Sequence, residues 1–453
     1  MYPLGFLGAE PEALSAEAPV QHRLARLEPW LDYAVRLGVE GLILGPVFAA
    51  QTHGYDTVDH FRIDSRLGDE DDLLRLITAA HERGLRIVLD GVFNHVGRGF
   101  AAFVDVLTNG PGSEFASWFR LKWPDSTASN RAPEVEVFEG HEQLVALNHE
   151  APAVVDYVAS VLNHWCARGI DGWRLDAAYA VPVDFWRLAL GPLREQHPDA
   201  WVFAELIHGD YAGFVSDSGV DSATQYELWK AIGSSINDAN FFELAHALGR
   251  HNDFLEVFVP VTFLGNHDTT RIASRLADPR HLPHALAVLF GVGGTPVVYA
   301  GDEQAFRGVK YEREGGDDEI RPAFPDSPDE LSQLGAQTFG LHQRLIGLRR
   351  VRPWLASART SVSELTNTVV MLTSAPTADG AEGEDPGADR IVVALSLQDE
   401  PSALPLPTGF WWQHEEGDGI LEPVDADRGS EPAGAQVLLP GHGWCVLSGS
   451  RSL

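Results

Sequence analysis

Cysteine is nearly absent: Cys166 and Cys445 are the only two in 453 residues. So small a number excludes a disulfide framework, and their distance in the chain excludes a paired metal motif. Cys166 falls within a helical pattern from Val155 to Arg168 and Cys445 lies near the C-terminus, so both read as buried or incidental thiols. Basic residues are also scarce, with 33 Lys and Arg against 65 Asp and Glu and a formal net charge of −32. A phosphate-binding surface needs a basic stripe to release counterions, so nucleic acid and anionic membrane surfaces are excluded as partners. Charge this diffuse bears mainly on solubility and sets no bar against a neutral substrate. No run of about 20 apolar residues occurs, which excludes a transmembrane helix. The opening MYPLGFLGAE has neither the basic region nor the apolar run of a signal peptide, so the expectation is a cytoplasmic protein.

What is present is an alternation of short apolar runs with amphipathic stretches, the βα signature. Gly41 to Leu44 follows a helical pattern from Leu24 to Leu37, and Arg86 to Asp90 follows another from Asp71 to Arg83. Gly172 to Asp176, Trp201 to Glu205, Val261 to Asn266 and Pro296 to Ala300 continue the series. A first strand is expected near Pro3 to Leu7 and a sixth near Ser222 to Gln225. Such alternation fits a closed barrel or an open doubly wound sheet. Several of the runs end in Asp90, Asp176, Glu205 and the Asn266–His267–Asp268 triplet. Functional groups gathered from the C-terminal ends of different strands favour a (β/α)₈ TIM barrel.

Two segments break the rhythm. Residues 98–146 carry Gly, Pro, Asn and aromatics without helical periodicity and are too long for an ordinary βα loop, so they are expected to form an inserted subdomain after the third strand. Its Phe115, Trp118, Phe119 and Trp123 suit either a local core or a rim over the barrel mouth. After about Pro353 the pattern turns to short β-type runs (Thr368 to Leu372, Arg390 to Leu397, Phe410 to Trp412, Gln436 to Leu439), which predict a C-terminal antiparallel β-sandwich. Thr377 to Asp389 reads as an acidic, Gly-rich hairpin loop. The expected division is therefore 1–97 and 147–352 as barrel, 98–146 as insert and 353–453 as β domain.

Four segments carry the chemistry: DGVFNHVG (Asp90 to Gly97), GIDGWRLDAAYAV (Gly169 to Val181), VFAELIHG (Val202 to Gly209) and FLGNHDTTR (Phe263 to Arg271). In order and content they resemble the four hallmark regions of the α-amylase family, glycoside hydrolase family 13. GPVF (Gly45 to Phe48), HGYDTVDHFRID (His53 to Asp64), LVALN (Leu144 to Asn148) and TPVVYAGDE (Thr295 to Glu303) agree with it. FAELIHG and LVALN lean toward the neopullulanase and cyclomaltodextrinase branch, although the barrel is expected to begin almost at Met1, without that branch's N-terminal β domain.

The resemblance implies a retaining hydrolase of α-glucosidic bonds. Retention needs a carboxylate nucleophile and a protonated carboxyl about 5–5.5 Å apart. The resemblance places the nucleophile at Asp176, the general acid/base at Glu205, and at Asp268 the carboxylate that grips the sugar's 2- and 3-hydroxyls. Arg174, two residues before Asp176, projects to the same strand face and is expected to hold that carboxylate ionised. Glu205 is flanked by Phe203, Ala204, Leu206 and Ile207, and an apolar setting would raise its pKa. The resemblance further implies that His95 and His267 contact the hydroxyls of the sugar at the cleavage point, with Tyr55 as the aromatic platform beneath it. His208 lies toward the leaving-group side, and Asp90 and Arg271 join the expected substrate-binding set.

The calcium-binding members of the family build their site partly from the Asn of the first region and from groups just after the nucleophile. Asn94 is present, but Ala177-Ala178-Tyr179-Ala180 stands where a Lys-His pair is usual. Structural calcium is therefore in doubt, no metal ligand is assigned, and no cofactor is expected for acid–base chemistry. The expected substrate is a short, cyclic or branched malto-oligosaccharide, with a homodimer as one possible assembly. Two other classes share the resemblance: a glucosyltransferase or isomerase working through the same intermediate, and a non-catalytic relative, which this chain's three retained carboxylates argue against.

Overall fold

The helix Glu28–Leu37 buries Trp30, Leu31, Ala34 and Leu37 along one stripe and stops at Gly38. Gly38 has a φ of 96°, in the left-handed region, and its N–H closes onto the Ala34 carbonyl. The turn releases the chain into the strand Gly41–Leu44, whose apolar residues suit a parallel strand covered on both sides. The structure, a computed structural model, describes residues 1–123, 133–313, 315–376, 389–423 and 434–450. The acidic hairpin expected at Thr377 to Asp389 lies outside the described residues, Asp389 excepted. The chain divides into two compact units, Met1–Ala223 with Arg321–Leu331, and Thr224–Ile320 with Ser332–Leu453.

The first unit is built on a parallel sheet in which spatial order follows chain order: Gly41–Leu44, Arg86–Gly91, Gly172–Leu175, Trp201–Ala204, Ser222–Ala223. Helices Glu70–Glu82, Pro152–Cys166, Val183–Gln196 and Tyr211–Ser218 lie between successive strands in the chain, as parallel pairing requires. The helix Glu70–Glu82 starts on a capping box, in which Asp69 accepts from the N–H of Asp72 and Asp72 accepts from that of Asp69. Strand neighbours lie close: a Cβ added at Gly172 would meet the Trp201 carbonyl at 2.0 Å.

Two sequence expectations fail in this unit. The strand expected near Pro3 to Leu7 is a short helix, Pro3–Phe6. Proline suits a first helical turn, and Phe6 is held by tertiary packing, stacked on Phe324 at 4.1 Å and edge-on to Trp30 at 4.9 Å. The residues from 98 onward also contain a helix, Ala101–Asn109. It is too short to show a periodicity, and its end is marked by Gly110 at φ 65°. The strands His95–Gly97 and Leu144–Ala146 pair antiparallel and draw the two ends of this segment together. Phe115, Trp118 and Phe119 make local ring contacts, with only Phe119 fully buried. Phe119 meets the edge of Phe103 at 5.1 Å, Trp118 lies 5.1 Å from Tyr157, and Phe115 packs edge-on to Trp118 at 5.3 Å.

In the second unit, Val261–Phe263 pairs in parallel with Thr295–Val297, and a single parallel bridge joins Thr224 to Val261. The helix Leu282–Gly291 is apolar apart from His284 and almost wholly buried, as a core helix must be. Two antiparallel sheets follow. One has five strands in the spatial order Arg359–Ser363, Val369–Ala375, Arg390–Ser396, Trp444–Ser450, Trp411–Gly417. The other has three: Ser402–Pro405, Ala435–Leu439, Ile420–Pro423. Val369, Met371, Val392, Leu404, Val437, Leu439 and Leu447 make their common core. Each such side chain contributes about 1.5–3 kcal/mol by leaving water. Cys445 is sealed in the same core, where burial pushes its thiol up to about 12; burial also takes Cys166 up to about 11. Both cysteines are free and buried.

Candidate active site

Three neighbouring strands of the first unit end in acids that share one cation. Asp90 belongs to Arg86–Gly91, Asp176 follows Gly172–Leu175, and Glu205 follows Trp201–Ala204. Register places Arg174 opposite Asp90 on one side and Phe203 on the other. Its Nη1 donates to both carboxylate oxygens of Asp90 at 2.7 Å and to Asp176 Oδ1 at 3.1 Å, while Nη2 meets Glu205 Oε1 at 2.8 Å. All four side chains are buried. Burial works against the charge of Arg174, but Asp90, Glu205, Tyr55 and Asp176 together outweigh it and hold the guanidinium well above its usual pKa. A permanent cation thus anchors three acids inside the protein.

The backbone fixes the two acids beyond the strands. The N–H of Asp176 donates to the Gly91 carbonyl at 3.0 Å and that of Glu205 to the Leu175 carbonyl at 2.9 Å, which continues the parallel ladder. Ala177 then turns into the left-handed region at φ 44° and ψ 35°, which costs a residue with a Cβ about 1–2 kcal/mol. The turn aims its N–H at Glu205 Oε2, 3.0 Å away. The carboxylate of Glu205 therefore sits among donors, and the apolar setting expected from its sequence neighbours is corrected. Consecutive side chains on an extended segment point to opposite faces, so flanking residues do not surround the group between them.

Two of the expected substrate contacts are enclosed in the structure. Asp90 is fully buried, with both oxygens on Arg174 and Oδ2 also accepting from the Tyr55 hydroxyl at 3.2 Å, so it anchors and does not face a ligand. His95 is equally enclosed. A carbonyl only accepts, so its Nε2–H donates to the Tyr55 carbonyl at 3.1 Å, and Nδ1 accepts from the Asn94 amide at 3.1 Å. Burial brings its pKa down to about 3, so the ring is neutral and orients Tyr55. Phe138, from the segment between the paired strands His95–Gly97 and Leu144–Ala146, stacks on this ring at 4.8 Å. The Asn94 amide nitrogen orients the His95 ring.

Beyond Glu205 the chain lines an open pocket of about 370 Å³ with Tyr179, Val183, Leu206, His208, Asp210 and Phe214 among its walls. The ring of exposed His208 lies 5.2 Å from that of Tyr179, whose hydroxyl donates to Glu139 Oε1 at 2.9 Å. Burial raises the pKa of this hydroxyl, and Glu139, Glu205 and Asp176 add to it, so the tyrosine stays a neutral donor beside the acids. Phe138, Glu139 and Tyr179 were missed as site residues by sequence reasoning. Phe138 and Glu139 lie in a segment with no motif, and only Tyr179, three residues after Asp176, carried a positional signal.

Asp268, His267 and Arg271 belong to the second unit. The Asn266–His267–Asp268 triplet follows the strand Val261–Phe263 in a tight turn, where the N–H of Asp268 donates to Asn266 Oδ1 at 3.0 Å and the Asn266 amide donates to the Tyr226 hydroxyl at 2.7 Å. His267 Nε2 lies 2.9 Å from Asp268 Oδ2, and the Asp268 side chain is 39% exposed, open compared with Asp176 and Glu205. Arg271 departs from the expected substrate-binding role. It is buried, donates to Asp302 Oδ1 at 2.8 Å and to the carbonyls of Ala300 and Ile320, and lies over the Tyr299 ring at 4.4 Å. It is an internal cross-link.

The family model described as "Alpha amylase, catalytic domain" matches residues 27–327. A cyclomaltodextrinase from a Bacillus species is 35% identical over 288 residues, 61% of this chain and 51% of that protein. Neopullulanase 2 from Thermoactinomyces vulgaris is 32% identical over 354 residues, 75% of this chain and 59% of that protein. This chain thus spans between half and six-tenths of the length of these two relatives. A solved structure of a cyclic α-maltosyl-(1→6)-maltose hydrolase from Arthrobacter globiformis superposes with a TM-score of 0.76 at 25% identity, covering 98% of this chain and 92% of that one. Together these likenesses imply a (β/α)₈ barrel.

Proposed function

The chain belongs to the α-amylase family, and from that premise we propose that it is a retaining glycoside hydrolase of short, cyclic or branched malto-oligosaccharides. The observation that carries this reading is the single guanidinium of Arg174 shared by Asp176 and Glu205. Two carboxylates tethered to one cation are near neighbours, as a double-displacement reaction needs. In the first step Asp176 bonds to the anomeric carbon as the glycosidic bond breaks, and the departing oxygen takes its proton from Glu205. In the second step Glu205 removes a proton from water, whose oxygen displaces Asp176 and restores both acids. Asp268 supplies hydrogen-bond acceptors for the sugar's hydroxyls, a grip that strengthens as oxocarbenium character develops.

Tyr55 belongs to this reading as the platform below the sugar, His267 as a hydroxyl partner, and His208 as a leaving-group-side residue in the pocket wall. The chemistry calls for no cofactor. The domain division of the reading is a barrel at 1–97 and 147–352, an insert at 98–146 and a β-sandwich at 353–453. A cytoplasmic location, where Cys166 and Cys445 stay reduced, and a homodimer complete it. Among the described residues no helix is long and apolar enough to cross a membrane.

The test is a panel of linear, cyclic and branched α-glucans with products followed by NMR from the first turnovers. Hydrolysis products appearing initially as the α-anomer are expected. Initial β-product would overturn the covalent scheme, and longer oligosaccharides in high yield would replace hydrolysis by transfer.

A further inference from the structure

At the start of the buried helix Leu282–Gly291 three groups converge that the carbohydrate chemistry does not use. Asp278 caps the short turn Pro279–His281 by accepting from the Arg280 N–H. His281 Nε2 lies 2.9 Å from Nδ1 of His442, which comes from the loop before the strand Trp444–Ser450. One ligand atom each from Asp278, His281 and His442 lie within 4.8 Å of one another. We propose that these three residues bind a divalent cation of the zinc class, with solvent completing a tetrahedral shell.

Four features support this. First, the donor set is two imidazoles and a carboxylate, the mixture a borderline ion prefers over an oxygen-only site. Second, the outer partner of one histidine is already in place. His442 Nε2 lies 2.8 Å from Asp399 Oδ1 and 3.2 Å from Arg280 Nη2; with Arg280 turned away, the carboxylate, which can only accept, holds the proton on Nε2 and leaves the lone pair of Nδ1 toward His281. A histidine that donates its outer N–H to a carboxylate is oriented and made more basic as a ligand. Third, the rings are held. His281 lies against His284 with centroids 4.9 Å apart, and buried His284 donates from Nε2 to the Ser396 carbonyl at 3.1 Å. His442 itself is fixed in the left-handed region at φ 55°. Fourth, the two facing nitrogens are now joined through one shared proton. A bound ion replaces that proton with only a small opening of the pair, since two nitrogens about 2.0–2.1 Å from zinc lie somewhat over 3 Å apart.

Arg280 is the competitor. Its guanidinium engages both oxygens of Asp278 at 2.6–3.1 Å and approaches His442 Nε2 at 3.2 Å. Its side chain is 60% exposed, so it can turn into water at little cost. The ion would then clamp the start of the helix to the loop at Gly441–Gly443 and stabilise the folded chain by mass action.

The experiment titrates zinc chloride into the chelator-treated full chain, with binding read by calorimetry and unfolding by thermal melting. One tight site and a rise in Tm are expected. His281→Ala with His442→Ala should weaken that site by at least tenfold, and Asp399→Asn by about 10–100-fold. Because a histidine variant can also disturb packing, Arg280→Ala is the decisive control: removing the competing cation should tighten binding. No binding by the wild type, unchanged binding in the double histidine variant, or weaker binding in Arg280→Ala would each overturn the site.

Discussion

Arg174 and Arg271 lie near the C-terminal ends of parallel strands, one in each unit, and each is bonded to carboxylate. Arg174 divides its guanidinium among Asp90, Asp176 and Glu205 and so gathers the acids of the candidate site. Arg271 spends its bonds on Asp302 and two carbonyls and is closed off under Tyr299. The acids differ in the opposite sense: Asp176 is buried with its cation, whereas Asp268 is partly open beside His267. The same pair of residue types thus forms the hub of the candidate site in one unit and an internal strut in the other.

The sharpest way to break this comparison is through the two aspartates. Asp176→Ala should lose on the order of 10³-fold or more in turnover, because it removes the covalent step. Asp268→Ala should also lose turnover yet melt within about 0.5 kcal/mol of wild type, since its side chain is partly exposed. Initial rates on a malto-oligosaccharide together with thermal melts decide it, and near-wild-type activity in Asp176→Ala would remove the nucleophile from the scheme.

Next in size are the arginines. Removing one partner of a buried ion pair costs about 3–5 kcal/mol, so Arg174→Ala and Arg271→Ala should both lower Tm strongly. Their pH dependence should differ. Burial, opposed by Arg271 and aided by Glu303, raises the Asp302 pKa to about 7. An acid raised in the folded state binds protons more readily there than when unfolded, so its burial costs stability as pH rises from about 4 toward 7. Without Arg271 that cost extends to higher pH, and the Arg271→Ala penalty should be larger at pH 8 than at pH 5. A penalty independent of pH would show that Asp302 is not the group left uncompensated.

The smallest effect per residue concerns histidines buried in both units. Burial lowers His60, His251, His284 and His342 to about 4. These rings bind protons in the unfolded chain before they do so in the folded one. Stability is therefore present above the ordinary value of about 6.5 and is lost as pH falls from there toward 4, by up to about 3 kcal/mol for each ring. Tm measured from pH 7 to 4.5 should fall, and His342→Gln should flatten part of the slope. If that variant melts with an unchanged pH profile, His342 is not among the rings responsible.

Much of the scaffold was legible because local chemistry and position agreed. GLIL and RIVLD form strands at or within a residue of their expected bounds, since continuous apolar runs between helical patterns have few other ways to be buried. Pro3 to Leu7 misled for the converse reason, because five residues hold too little periodicity to outweigh packing on Trp30 and Phe324. At the candidate site, Asp176 and Glu205 were readable from strand ends and from the motifs around them. The partners of Glu205 and the enclosure of His95 were not, because Arg174, Ala177, Asn94 and the Tyr55 carbonyl reach them through space.

The sequence by itself determined the alternation of strands and helices, the family, and the acids at the strand ends, all of which depend on residue type at short spacing. Only the tertiary structure decided that Asp90 and Arg271 are internal, that Glu205 shares a cation with Asp176, and that Asp278 and His281 meet His442. Those outcomes depend on groups up to 164 positions apart in the chain, counted as 442 − 278. Burial and hydrogen bonding are properties of neighbours in space, which spacing along the chain does not specify.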